Sequence, residues 1–184
     1  YSYASQIHTL HFQHQYPCKK HIQDFWGELY NAAYKKHEHL TKKVLEKEIK
    51  SLESLFLHRK HLAVTEMPIH NLAGKKILEI GSGAGAHSAY FSLNGAQLTA
   101  LDITLNRVIA TSKKLEMINN SMPFIALQGD AENLPFSDNT FDIVYSNGVL
   151  HHTANTQKAL DEVYRVLNPG GSAVIMLYCK NSFF

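Results

Sequence analysis

The second part of the sequence alternates short aliphatic runs with stretches of helical periodicity, and this alternation restricts the fold more than any other feature. The predicted elements are strand 76–80, helix 85–93, strand 97–102, helix 105–119, strand 123–127, strand 141–146, helix 156–166 and strand 172–178. Strands separated by helices pair in parallel through right-handed crossovers. The sequence therefore predicts an α/β fold, with a mostly parallel sheet sandwiched by helices.

The first part of the sequence has a different composition, since it holds most of the twelve histidines. Within it Leu45, Ile49, Leu52 and Phe56 recur at the spacing of an amphipathic helix. We therefore predict a helical N-terminal region at residues 1–70 that covers the substrate side of a core at residues 71–184.

Composition excludes several classes of protein. The chain has 184 residues, 45% of them hydrophobic, and a net charge of +2, which suits one globular domain and lacks the concentrated charge of a nucleic-acid binder. No apolar run is long enough to span a bilayer. The two cysteines, Cys18 and Cys179, have no metal or redox spacing. We expect a cytoplasmic protein with neither a nucleic-acid partner nor a membrane span.

A glycine-rich loop follows the first predicted strand of the core. Gly81, Gly83, Gly85 and Ala86 satisfy the dinucleotide-binding pattern, and Asp102 ends the next strand at about the offset of a ribose-binding acid. An NAD(P)-dependent oxidoreductase is therefore one hypothesis. A tight strand-to-helix turn that binds no ligand is another, in which Asp102 serves only as a helix N-cap.

Glu79 argues against a dinucleotide. A carboxylate two residues before the first glycine would repel a pyrophosphate, whereas it would attract a ligand with a positive charge, such as the α-ammonium of an amino acid. S-adenosylmethionine carries such an ammonium at one end and a ribose and adenine at the other.

Four ordered stretches now give a specific resemblance. They are "ILEIGSGAGAHSAYF", "AQLTALDIT", "GDAENLPFSDNTFDIVYSNGVLHHT" and "LNPGGSAVIMLY", and together they cover residues 75–178. In order and spacing the chain resembles the class I S-adenosylmethionine-dependent methyltransferases, in the small-molecule group with ubiquinone/menaquinone methyltransferase-like (methyltransferase type 11) domains. The resemblance implies a Rossmann-like sheet and methyl transfer from S-adenosyl-L-methionine to oxygen, carbon or nitrogen of a small molecule, without a metal. A non-enzymatic S-adenosylmethionine-binding module is the remaining alternative.

The resemblance also implies cofactor-binding residues. The glycine loop would line the methionine part, Asp102 would receive the ribose hydroxyls, and the residues after the third strand would hold the adenine, although turn chemistry alone also favours Asp130. The implied cofactor set is Glu79, Gly81, Ser82, Gly83, Gly85, Asp102, Ile103, Asp130, Ala131 and Asn147.

The turn "SNGVLHHT" would face the acceptor in such enzymes, which makes His151 and His152 candidate bases, although either could instead pack under the sheet edge or cap the next helix. The turn lacks the prolines of enzymes that methylate amino groups of adenine or glutamine. From the N-terminal region, Trp26 and Tyr30, with Phe25 and Tyr34, are candidates for the substrate pocket or for anchoring a helix.

Two further features complete the expectations. His8, His11 and His14, and the pair at 37 and 39, only superficially resemble metal ligands, so we predict no metal site. The methyltransferase sheet ordinarily ends in an antiparallel hairpin, which the sequence lacks after residues 172–178. A missing C-terminal segment or a homodimer would cover this sheet edge.

Overall fold

A computed structural model describes residues 7–9, 17–33, 41–58, 66–118 and 121–178. Its strands and helices alternate along the core. In chain order the elements are β1 (Ile7–Thr9), α1 (Pro17–Ala33), α2 (Lys42–His58), β2 (Lys76–Ile80), α3 (Ala86–Leu93), β3 (Gln97–Asp102), α4 (Leu105–Ile118), β4 (Phe124–Gln128), β5 (Phe141–Asn147), α5 (Thr156–Val166) and β6 (Leu167–Met176).

The strands form one sheet in the order β1-β4-β3-β2-β5-β6, and every pairing is parallel. This confirms the predicted parallel α/β fold. The strand β1 was not predicted, because three residues in a histidine-rich stretch carry too little apolar periodicity to indicate one. Since parallel strands all end at the same edge of a sheet, the segments that follow β2, β3, β4 and β5 meet there.

The last strand differs from its prediction, since β6 begins at Leu167 rather than at residue 172. Phe141 pairs with Leu167, but Ile143 pairs with Ser172, so the register shifts across the intervening "NPGG". Gly170 lies there at φ +78°, a conformation that a strand pattern in the sequence does not indicate. Among the described residues β6 pairs only with β5 and forms the sheet edge.

Two hydrophobic clusters cover the two faces of the sheet. On one face, Leu52 and Phe56 of α2 pack with Ile77 of β2 and Phe91 of α3. This confirms the amphipathic helix predicted for the N-terminal region. The division into regions 1–70 and 71–184 stays a prediction. Within the part of the chain that the structure describes, no helix is long and apolar enough to cross a membrane.

Candidate functional site

A cavity of about 360 Å³ lies at the carboxyl ends of the central strands. Most of the residues that the sequence analysis assigned to cofactor and acceptor line this one cavity. They are Trp26, Glu79, Gly81, Ser82, Gly83, Asp102, Ile103, Asp130, Ala131, Asn147 and His152. Three predicted residues, Tyr30, Gly85 and His151, are not part of its lining.

At two positions of the loop, steric contacts explain why the residue is glycine. Gly81 lies at φ +79°, where a side chain would overlap that of Val149. Gly85 also lies at φ +79° as the residue that caps α3, and a Cβ there would approach the Thr111 Cα to 2.7 Å. Gly85 therefore lets α3 pack closely against α4, rather than facing the cavity.

Asp102 ends β3 and is almost fully buried, with 4% of its surface exposed. Its Oδ1 accepts hydrogen bonds from the backbone N–H of Thr104 at 2.9 Å and from the Thr104 hydroxyl at 3.0 Å. Its Oδ2 accepts one from the Gly83 N–H at 3.0 Å. Burial raises the pKa of Asp102, and these hydrogen bonds oppose the rise. The carboxylate thus ties the glycine loop to the end of β3.

Asp130 lies just beyond β4 and contacts a cation that sequence analysis did not consider. The ammonium of Lys19, on α1, contacts an Asp130 carboxylate oxygen and lies 3.1 Å from an oxygen of Glu132. The other Asp130 oxygen accepts a hydrogen bond from the Glu132 N–H at 2.9 Å. Both carboxylates are buried, so Lys19 balances charge that the protein would otherwise hold unpaired.

Glu79 lies near the carboxyl end of β2 and is 3% exposed. The Ser88 hydroxyl of α3 donates a hydrogen bond to it. Burial raises the pKa of Glu79 to about 8, Ser88 opposes the rise, and the nearby charge of Asp102 adds to it. A carboxyl group in this state gains its charge readily when a cation enters the cavity beside it.

Asn147 ends β5 on the same side of the sheet as Glu79. Its side-chain oxygen is buried and accepts no hydrogen bond from any described residue. The neighbouring hydroxyl of Tyr145 lies 3.2 Å from Nδ1 of His87, and His87 also lines the cavity. Burial lowers the pKa of His87 to about 4, so its imidazole is neutral at physiological pH.

The two candidate histidines occupy different positions. His152 lines the cavity, and its ring meets that of Trp26 edge-on at 4.9 Å. The centre of the His151 ring lies 4.0 Å from that of His152, with the two rings tilted by 47°, and 4.8 Å from that of the Tyr178 ring. Burial lowers the pKa of both, and His151 lowers that of His152 further. Only His152 is therefore placed to touch a molecule in the cavity.

The helix α1 lies along one side of the cavity. Besides the Lys19 contacts, the Gln23 side chain donates a hydrogen bond to the Ile103 carbonyl oxygen at 3.0 Å. The guanidinium of Arg107 lies 5.4 Å from the Trp26 ring centre and 5.7 Å from that of Tyr30. Trp26 thus faces the cavity, whereas Tyr30 is buried against α4.

Among the residues of the cavity wall that sequence reasoning missed are Lys19, His87, Arg107 and Tyr178. His87 carries a signal, because it directly follows the glycine loop at the start of α3. The other three come from helix or chain-terminal segments whose side chains look solvent-exposed in sequence. Residue 34 and the side chains of His8, His11 and His14 and of residues 37 and 39 lie outside the description. No cluster of three metal-ligating side chains occurs among the residues that the structure does describe.

Comparison with known proteins gives consistent matches. Residues 78–175 match the family model described as a methyltransferase domain. A ubiquinone/menaquinone biosynthesis C-methyltransferase of Haemophilus ducreyi is 34% identical over 113 residues, which is 60% of this chain and 44% of that protein. A malonyl-[acyl-carrier protein] O-methyltransferase of Pectobacterium atrosepticum is 35% identical over 105 residues, 57% of this chain and 38% of that protein. The chain thus spans less than half the length of these relatives.

A solved structure agrees with these matches. A Methanococcus maripaludis protein assigned to the S-adenosyl-L-methionine-dependent methyltransferases has a TM-score of 0.57 and 26% identity, over 74% of this chain and 63% of that one.

Proposed function

Because the chain belongs to the methyltransferase domain family, we propose that it binds S-adenosyl-L-methionine in the cavity and transfers its methyl group to a small molecule. One observation carries the proposal. Glu79 and Asp102 lie at the carboxyl ends of β2 and β3, Asp130 follows the neighbouring β4, and all three buried carboxyl groups line the same cavity.

The donor and acceptor groups of the cavity fit the two ends of this cofactor. Asp102, Ile103, Asp130 and Ala131 would hold ribose and adenine, since carboxylates accept hydrogen bonds from a diol and from an exocyclic amine. We call these four residues the nucleotide half. The carboxyl group of Glu79 and the side-chain oxygen of Asn147 can accept hydrogen bonds from an ammonium group. The Asn147 oxygen is available for this role, because it has no hydrogen-bond partner among the described residues. We call these two residues the methionine half.

Cofactor and protein divide the chemistry. S-adenosylmethionine supplies a methyl group on a sulfonium, an electrophile that needs no metal. The protein aligns the acceptor and removes a proton where the acceptor requires it. His152 is neutral at pH 7 because its pKa is lowered, so it can accept that proton. His151 does not touch the cavity and would act by fixing the His152 ring.

The acceptor end of the cavity is largely aromatic. Trp26, His152 and Tyr178 contribute rings to the wall, and Val149 adds an aliphatic surface. Aromatic walls favour planar or apolar molecules over highly charged ones. We therefore propose an apolar or aromatic small-molecule acceptor, methylated at oxygen, carbon or nitrogen.

Two calorimetric titrations test the proposed cofactor. S-adenosylhomocysteine should bind with one-to-one stoichiometry and raise the melting temperature, while reduced nicotinamide nucleotides should do neither. Binding at 100 times the dissociation constant stabilises a protein by about 2.7 kcal/mol. Binding of the nicotinamide nucleotide alone would favour the oxidoreductase, and binding of S-adenosylhomocysteine without methylation across a broad acceptor panel would favour a non-enzymatic module.

The remaining proposals concern partners and location. We propose that a second copy or a further segment of the whole protein covers the edge of β6, where Ser172 and Ala173 are exposed. Light scattering over a concentration series distinguishes a dimer from a monomer. We also propose a cytoplasmic location and no nucleic-acid partner, in keeping with a net charge of only +2.

A further inference from the structure

Acidic side chains dominate the wall of the cavity, and the proposed cofactor would bring one more negative group to it. Glu79, Asp102, Asp130 and Glu132 all line the wall, and all four are buried. The α-carboxylate of S-adenosylmethionine therefore needs a cation beside it, because an anion held away from water without a partner is strongly unfavourable.

Two cationic side chains line the cavity among the described residues, namely Lys19 and Arg107. Lys19 contacts the carboxylate of Asp130, so it belongs to the end of the cavity where we place the adenine. Burial lowers the pKa of His87 and of His152 in the same wall, so neither imidazole adds a positive charge at pH 7. Arg107 is therefore the cation left to face the rest of the cofactor.

The guanidinium of Arg107 lies against the glycine loop. Arg107 belongs to the first turn of α4, and a Cβ built on Gly83 would lie 3.6 Å from its Nη1. The same guanidinium lies 5.4 Å from the Trp26 ring centre and 5.7 Å from that of Tyr30. Aromatic rings attract a guanidinium, so α1 helps to hold Arg107 beside the loop.

The backbone N–H groups of the glycine loop are largely committed to the protein itself. Hydrogen bonds run from Gly81 and Ser82 to the Leu101 oxygen, from Gly83 to Asp102 and from Gly85 to the Ser82 oxygen. The loop therefore offers a bound anion few donors of its own. A side chain beside the loop has to supply them.

A guanidinium has the right chemistry for this role. It is protonated at every physiological pH, and its planar set of N–H donors can form two parallel hydrogen bonds with a carboxylate. The loop that it lies against is the segment that the sequence analysis assigned to the methionine part of the cofactor.

We propose that Arg107 is a further cofactor-binding residue, whose guanidinium binds the α-carboxylate of the methionine part. The inference rests on the proposed function. The two charged groups of the amino acid would then be recognised separately, the ammonium by Glu79 and Asn147 and the carboxylate by Arg107.

Two ligands isolate the carboxylate contact in calorimetric titrations. S-adenosylhomocysteine carries both charged groups, and decarboxylated S-adenosylhomocysteine keeps the nucleoside, the sulfur and the ammonium. The unsubstituted protein should bind the first at least tenfold more tightly, because hydrogen bonds between charged groups are strong. Equal affinity for the two ligands would overturn the proposal without any substitution.

Arg107→Met keeps an unbranched side chain over the loop and removes the charge. It should weaken S-adenosylhomocysteine binding by about ten- to a hundredfold and should lower the affinity for the decarboxylated ligand by less than twofold. Retained binding of the decarboxylated ligand also shows that the variant is folded. Equal losses for both ligands would mean that Arg107 only anchors α1, and no loss for either would equally contradict the proposal.

Lys19→Met is the matched control, because it removes the other cation of the cavity wall. Both ligands carry the adenine, so this variant should change the two affinities by the same factor. A loss confined to S-adenosylhomocysteine in Lys19→Met would assign the carboxylate to Lys19 and overturn the proposal. Binding of neither ligand by the unsubstituted protein would instead refute the proposed function, so the two failures are distinguishable.

Discussion

The two halves of the cavity differ in how far the protein satisfies its own polar groups. In the nucleotide half, Asp102 accepts three hydrogen bonds and Asp130 contacts the ammonium of Lys19. In the methionine half, a single serine hydroxyl donates to Glu79, and the Asn147 oxygen has no partner among the described residues. In the nucleotide half a ligand must therefore share or replace hydrogen-bond partners that the protein already supplies. In the methionine half it supplies hydrogen bonds that the ligand-free protein lacks.

This difference separates stability from affinity. Carboxylates that already hold the fold together cannot be altered without loss of stability, because their donors become unsatisfied. Polar groups that lack a protein partner can be substituted with little loss of stability in the ligand-free protein. The predictions that follow test this separation.

The largest expected effect is a pH dependence that belongs to Glu79. Its folded pKa of about 8 exceeds the ordinary value of 4.5, so the folded protein keeps a proton that the unfolded chain loses. The stability that this proton confers is complete below pH 4.5 and is lost as the pH rises to about 8. The slope is about 1.4 kcal/mol per pH unit within that window.

Denaturant titrations from pH 5 to pH 8 measure this effect. The difference in unfolding free energy between the wild type and Glu79→Gln should change steadily over the range, since Gln has no proton to lose. The two proteins should have closely similar stability at pH 5, where Glu79 is protonated. A difference independent of pH would mean that Glu79 is already ionised, and the contrast between the halves would fail.

Asp102→Asn should give the next largest effect, and it should lower both the stability of the ligand-free protein and the affinity for the cofactor. The amide replaces one acceptor oxygen by a donor that faces Gly83 or Thr104, so the ligand-free protein should lose about 2 kcal/mol. Affinity for S-adenosylhomocysteine should fall about ten- to a hundredfold. Chemical denaturation and calorimetry measure the two changes.

Asp142→Asn is the matched control for this variant. The Asp142 carboxylate also caps backbone, accepting from the Lys76 N–H at 2.9 Å, but it is not part of the cavity wall. It should lose stability and keep its affinity. If both variants lose stability and neither loses affinity, Asp102 only holds the turn.

Lys19→Met should have the smallest effect. Loss of the ammonium leaves Asp130 and Glu132 without their cation. Because the Lys19 side chain is partly exposed, water screens much of this loss, so we expect destabilisation of about 1 kcal/mol and a melting temperature that depends less on salt. Lys20→Met is the control, because its pair with Asp24 is exposed. Melting curves at low and high salt that do not distinguish the two variants would show that Lys19 does not compensate the nucleotide half.

The core of the fold could be predicted because its signals are local. Strands β2 and β3 match their predicted bounds, since each is a short run rich in aliphatic residues that is bordered by turn residues. The bounds of β6 could not be predicted, because its register shift depends on how "NPGG" packs against β5. The strand β1 escaped prediction because only its pairing with β4 distinguishes it from a loop.

The candidate site divides in the same way. The positions of the acidic residues at the strand ends could be predicted from the sequence, because the topology alone brings the carboxyl ends of parallel strands together. The ion pair of Lys19 and the contact between the His151 and His152 rings depend on how α1 and the turn after β5 pack, which no spacing in the sequence encodes. The roles of all these residues toward a ligand stay predictions.

A crystal structure of the protein with S-adenosylhomocysteine tests the account most directly. It should show the ligand in the cavity, the adenine beside Asp130, the ribose hydroxyls on Asp102 and the ammonium between Glu79 and the Asn147 oxygen. In the nucleotide half the ligand should share or replace the hydrogen-bond partners of Asp102 and Asp130. In the methionine half it should donate to acceptors that lack a partner in the ligand-free protein. A ligand bound in the reverse direction, or outside the cavity, would contradict the account.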